Sequence, residues 1–155
     1  MSDFSGKTED YLNTVITNNG FYPNVVLGDF QRDYNIPAKY EIETVTNKIL
    51  LAMVNINDQL AVIQDDWELD GATTLAEVDT TEHNGVNKME MHYIQAVFSR
   101  AKALLIPEFA SLNRKDSAMS LDESTIDLAA PWKTLSNRAV RKLKGIETTI
   151  TVELL

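Results

Sequence analysis

The stretch AKYEIETVTNKILLAMVNINDQLAVIQDDW, residues 38–67, decides the fold class. Its apolar residues Ile42, Val45, Ile49, Met53, Ile56, Leu60, Ile63 and Trp67 recur at steps of 3, 4, 4, 3, 4, 3 and 4. Steps of three and four keep side chains on one side of an α-helix, whereas a half-buried strand needs steps of two. The spacing therefore predicts one long amphipathic helix with a continuous apolar stripe. Pro37 is expected in its first turn, where a missing N–H costs no hydrogen bond, and Gly71 just beyond its end. At ~1.5 Å rise per residue the stripe runs for about 40 Å. A neighbouring helix must cover it, or a neighbouring subunit must cover part of it.

Two further helices are expected to supply that cover. The first spans residues 88–112, with Ile94, Val97, Phe98, Ala101, Leu104, Leu105 and Phe109 facing inward and Pro107 expected to kink or end it. The second follows LDEST at 121–125, where Asp122 or Ser124 can cap its N-terminus. Leu128, Trp132, Leu135, Ala139 and Leu143 form its inward face, and Pro131 is expected to divide it into a piece ending at 130 and one from 131 to 144. The expected core sets Ile49, Met53, Ile56 and Leu60 against Val97, Ala101, Leu104 or Leu135. Arg138, Arg141, Lys142 and Lys144 suit the negative C-terminal end of that last helix, and Gly145 suits the residue after it. Elsewhere, residues 8–18 are expected to form a short helix with Leu12, Val15 and Ile16 on one face, ended by Gly20. Residues 21–30 are read as a connector, and Asp29–Tyr34 as one helical turn. Residues 71–88 are read as a loop in which TLAEV at 74–78 plugs the core edge with Leu75 and Val78. The fold class is mainly α: a helical bundle on one long amphipathic helix and two others.

The chain closes differently, with GIETTITVELL at 145–155. Ile146, Thr148, Ile150, Val152 and Leu154 alternate with the remaining residues at period 2, the pattern of a half-buried β-strand. A strand needs partners for its backbone N–H and C=O groups. Within the chain, only VVL at 25–27 is strand-like, and a two-stranded ribbon is marginal alone. The other solution is a partner chain whose sheet edge or groove takes the strand. Arg138, Arg141 and Lys142, just before it, are expected to meet an acidic partner surface. The organisation expected is an N-terminal segment 1–20, a helical domain 21–145 and a docking strand 146–155.

Composition excludes more than it assigns. The net charge of −9 argues against a dedicated nucleic-acid binder, which presents a basic field to phosphates. No cysteine is present, so neither a disulfide framework nor a thiolate metal site can form. MSDFSGKTED lacks a signal-peptide pattern, and ILLAMV at 49–54 is far shorter than the ~20 residues a membrane span needs. His83 and His92 are nine apart without a ligand-spaced third group, and Asp65 and Asp66 are adjacent and point to different sides of a helix. No phosphate-cradling glycine loop or nucleophile elbow occurs. No catalytic residue, metal or cofactor is expected, and the protein is not expected to be an enzyme.

Four stretches together resemble the gpL-type head-completion proteins of contractile-tailed phages. They are FYPNVVLGDFQRDYNI at 21–36; VNINDQLAVIQDDW at 54–67 with TLAEV at 74–78; YIQAVFSRAKALLIPEF at 93–109; and STIDLAAPWKTLSNRAVRKLKG at 124–145 running into TITVELL. The resemblance implies a head-to-tail connector of the virion neck, assembled in the host cytoplasm. It would form a ring of neighbouring copies, twelve-fold by expectation, beneath the portal after packaging. That ring would extend the DNA channel and carry a neck or tail-terminator protein, with packaged DNA passing through without specific binding and no membrane involved. Ile146, Thr148, Ile150, Val152 and Leu154 would then dock on portal or on a neighbouring copy. The alternative read from the residues alone is a small helical protein-binding regulator with a strand-type docking tail.

The charge generates a first prediction. Random duplex DNA should bind the purified protein weakly at physiological salt. A salt-sensitive dissociation constant tighter than about 1 µM in a fluorescence-anisotropy titration would contradict it.

Overall fold

A computed structural model describes the backbone of residues 13–116 and 124–146, and the side chains of 13–111 and 128–146. The expected strand at 147–155 and the segment before residue 13 lie outside these described residues. The order is β1 (Val15–Ile16), β2 (Val25–Val26), α1 (Leu27–Asp33), α2 (Ile42–Leu69), α3 (Leu75–Val78), β3 (Glu82–His83), β4 (Val86–Asn87), α4 (Lys88–Asp116) and α5 (Ser124–Leu143). The protein is mainly α, built on the long helix α2 as its spacing predicts.

The stripe of α2 is buried from Val45 through Ile49, Ala52, Met53 and Ile56 to Leu60, and Ile63 and Trp67 are partly covered. Ile42 lies outside the core, 47 % exposed. Pro37 is not in the first turn of α2. It precedes a separate turn in which Tyr40 N–H donates to the Pro37 carbonyl at 3.2 Å. That turn delivers Tyr40 onto Phe109, their rings stacked with centroids 3.5 Å apart. At the other end, Gly71 adopts φ +101° and donates to the Glu68 carbonyl, while Ala72 donates to that of Trp67. This paired closure satisfies two otherwise orphaned carbonyls and needs the left-handed conformation that glycine adopts without cost.

α4 runs on through Pro107 to Asp116, beyond the expected end at 112. α5 is one helix through Pro131, not two pieces. Both prolines are exposed, and each helix continues through its proline. On either side of Pro107, Leu105 is buried and Phe109 stacks on Tyr40. The inward face of α5 differs in part from the expected one. Ala139 and Leu143 are buried as expected, Ser136 and Val140 are buried with them, and Leu128 is 63 % exposed. Ser136, fully buried, donates to the Ala96 carbonyl of α4 at 2.8 Å. Ala96 and Ala139 are buried at this same helix pair, and such small side chains let two backbones approach closely.

The N-terminal reading is corrected. Val15–Ile16 is extended, not helical, and pairs antiparallel with β2, Val15 opposite Val26 and Ile16 opposite Val25. Thus the strand-like residues at 25–27 take their partner from this side. Asparagines decide the local outcome by capturing backbone donors that a helix would use. Asn24 Oδ1 accepts from Asn18 N–H, and Asn19 Oδ1 accepts from the N–H groups of Phe21 and Tyr22. The expected connector at 21–30 is core: Phe21, Tyr22, Val25, Leu27 and Phe30 are buried. α1 is a seven-residue helix where one turn at Asp29–Tyr34 was expected.

Of the residues expected to be core, Ile49, Met53, Ile56, Leu60 and Val97 are buried in one cluster. Leu104 packs against it half-buried, and Leu135 is half-buried. Leu60→Ala should therefore destabilise the fold by about 2–5 kcal/mol, and Leu104→Ala by roughly half as much. Urea unfolding followed by circular dichroism measures both, and an unchanged midpoint for Leu60→Ala would remove this helix face from the core.

Candidate functional site

The last turn of α5 brings the candidate docking residues to the surface. Gly145, at φ +70°, donates to the Lys142 carbonyl, and Ile146 N–H donates to that of Arg141 at 3.0 Å. This closure uses the last carbonyls of the helix and leaves Ile146 51 % exposed. Arg138, Arg141 and Lys142 are exposed around the same turn, where the helix dipole favours positive charge. None of the three enters an ion pair among the described residues, whose ion pairs are Arg32–Asp29, Arg32–Asp33, Lys48–Glu108 and Lys88–Asp79. A shallow groove of about 480 Å³ lies between Gln59 of α2 and α5, lined by Thr134, Asn137, Arg138, Val140, Arg141, Lys144 and Ile146. Structure thus brings Arg138, Arg141 and Ile146 to one groove, with Lys142 on the other flank of α5 near His92. Thr148, Ile150, Val152 and Leu154 lie outside the described residues.

A second groove, of about 780 Å³, was not found from the sequence. Val25 and Val26 of β2, Val86 of β4 and Met91, Ile94 and Phe98 of α4 give it an apolar floor, and both histidines reach it. The signal that could have placed it is His83-Asn84-Gly85-Val86. Asn-Gly at φ +52° and +76° makes the tight turn of the β3–β4 hairpin, in a region read as loop. Asn87 then caps α4: its Oδ1 accepts from the N–H groups of Met89 and Glu90, and its Nδ2 donates to the carbonyls of Ala76 and Asp79. His92 is half-buried, and burial first, then the positive charges of Lys142 and Lys88, pull its pKa below the ordinary 6.5. Among the described residues no group of three or more His, Asp or Glu is placed to hold a metal ion.

Both tryptophans have packing partners. Trp67 stacks on Phe21 with centroids 6.2 Å apart. Trp132 packs against Tyr34 and under the Lys102 ammonium, 5.4 Å from its ring centre. Lys102 also donates to the Tyr34 carbonyl, so one cation ties α1, α4 and α5, and desolvation lowers its pKa.

Comparison with known proteins bears on this surface. The profile of the phage head completion protein (GPL) family matches residues 16–155. The "Probable head completion/stabilization protein" of Haemophilus phage HP1 is 32 % identical over 142 residues, which cover 92 % of this chain and 93 % of that protein. No solved structure matches the chain.

The lowered pKa of His92 makes stability depend on pH. Between that lowered value and 6.5 the unfolded chain binds more protons than the folded one, so stability rises with pH through this window. Acidification from pH 8 should therefore lower the melting temperature as pH passes below 6.5, with no such loss above it. His92→Gln should flatten that part of the profile. Identical melting curves for the two proteins from pH 8 to 5.5 would show that His92 carries none of it.

Proposed function

Because the chain belongs to the phage head completion protein (GPL) family, we propose that it is the head-to-tail connector of its virion. Head completion is its role as a family member, and that role is structural. In the proposed reading, copies form a ring beneath the portal once DNA is packaged, extend the DNA channel and present a platform to a neck or tail-terminator protein. Portal is the proposed receiver of the C-terminal strand. DNA passes through unbound, and the surplus of negative charge suits a wall that DNA slides past. Assembly takes place in the host cytoplasm, and the finished protein resides in the neck. No described helix is long and apolar enough to cross a membrane.

The observation that carries this reading is the helix end at Gly145–Ile146. α5 is closed there by its own hydrogen bonds, and the nine residues after Ile146, alternating in sequence, follow a basic surface whose Arg138, Arg141 and Lys142 have no ion-pair partner among the described residues. Such a segment spans about 30 Å as a strand, at ~3.3 Å per residue. That suffices to reach a partner well outside the bundle.

Removal of residues 146–155 should leave the melting transition nearly intact and abolish attachment to portal-containing heads in a sedimentation assay. Ile150→Asp with Val152→Asp should do the same at full length, because seating a carboxylate in an apolar pocket is costly. Thr149→Ser with Thr151→Ser should be much milder. A truncated protein that still attaches and supports tail joining contradicts the docking reading, and one that no longer folds makes the strand part of the bundle.

A further inference from the structure

α2 carries a second apolar face that the other described elements leave largely exposed. Leu51, Val54, Val62 and Leu69 are 56 %, 58 %, 79 % and 85 % exposed. Val54 stands two residues before buried Ile56, about 200° round the helix, so this stripe runs along the side opposite the core. A helix apolar on both sides is the pattern of one buried on both sides. The outer stripe is also acidic: Asp58 and Asp65 lie on it, and no lysine or arginine occurs between Ile49 and Asn87. α5 offers the opposite surface. From Leu128 to Ile146 there are five lysines and arginines and no acidic residue, and the groove beside it is concave and holds the exposed Ile146. Asp58, Asp65, Arg138 and Arg141 are all exposed and none is paired within the chain among the described residues.

We propose that the outer face of α2 on one copy seats in the α5 groove of the next copy. Asp58 and Asp65 then meet Arg138 and Arg141, and the ridge of Leu51, Val54 and Val62 covers Ile146 and the arginine stems. This inference rests on the ring reading above and names the two surfaces that make the ring. The two patches differ and sit on one chain, so the contact is head-to-tail, the kind that generates a ring when the rotation closes.

Charge reversal tests the proposal, since all four residues are exposed and the changes leave the core alone. Asp58→Lys with Asp65→Lys, or Arg138→Glu with Arg141→Glu, should weaken self-association about a hundredfold, read by sedimentation velocity and by the number of copies on portal-containing heads. Melting temperatures should stay near that of the parent chain. A mixture of the two reversed proteins should co-assemble in equal amounts, because the retained aspartates of one meet the retained arginines of the other and the introduced lysines meet the introduced glutamates. A single chain carrying all four reversals should regain assembly. Equal assembly of parent and reversed proteins overturns this inference and leaves the ring standing. So does a four-fold variant that folds but stays monomeric, whereas a parent assembly that stops at two copies overturns the ring as well. Parent protein found on heads only as isolated copies overturns the ring and this inference together.

Discussion

The hydroxyl of Tyr93 imposes the constraint on which the rest of the bundle depends. It is fully buried where α4 meets α2 and the N-terminal segment, and burial pushes its pKa up to about 12. An unpaired hydroxyl there would cost roughly 1–3 kcal/mol. Three side chains close a ring around it. Tyr93 donates to Asn57 Oδ1 at 2.6 Å, Asn57 Nδ2 donates to Asn18 Oδ1 at 3.0 Å, and Asn18 Nδ2 donates back to the Tyr93 oxygen at 2.7 Å. Asn18 also donates to the Pro23 carbonyl. One polar triangle therefore fixes the rotation of α2 against α4 and pins the residues between β1 and β2 onto both. Tyr22 stacks on the Tyr93 ring, centroids 4.7 Å apart, and covers the triangle from the N-terminal side.

This arrangement explains which parts of the fold could be read from residues in order. α2 was legible because its apolar steps repeat seven times and because helix period is a local property. The ends at Gly71 and Gly145 were legible for the same reason, since a left-handed closure has few suitable residues. Asn18 and Asn57 carry no comparable signal. Each is an unremarkable polar residue until the chain brings Tyr93 between them, across sequence separations of 75 and 36. β1 was misread because Leu12, Val15 and Ile16 fit a helical spacing as well as Ile16 fits an inward strand position. What selects the strand is its distant partner, β2. Pro131 was misread for a related reason. Whether a proline divides a helix depends on the packing around it, and only the folded structure shows that packing.

The basic surface at the end of α5 was legible only in part. Basic residues gathered before a glycine mark a helix end wherever they occur, and Arg138, Arg141 and Lys142 stand at one. The groove that makes two of them a surface also needs Gln59 of α2, which no local pattern connects to α5. Likewise, the inward face of α5 was placed on Leu128 and Leu135 by hydrophobicity alone. The structure instead buries Ser136 at the helix contact, because a small side chain lets α4 and α5 approach and its hydroxyl finds the Ala96 carbonyl. Hydrophobicity selects a large residue where close packing selects a small one.

Charge separation along the chain gives the molecule a direction. Acidic residues gather on the second half of α2 and the loop after it, and basic ones on the second half of α5, and of the described ion pairs only Lys88–Asp79 touches either group. A monomer has little use for such segregation, since exposed charges within one chain contribute about 0–1 kcal/mol even when paired. Between copies the same charges orient the encounter and suppress the wrong partner faces. The exposed part of α2 is a stripe of single residues interrupted by aspartates, not a broad apolar surface. It can remain in water before assembly and bury only against a surface that also answers the aspartates. The fold thereby separates two requirements: the Tyr93 triangle and the buried stripe hold one copy together, and in the proposed ring the outer stripe would supply association that depends on a correctly placed neighbour.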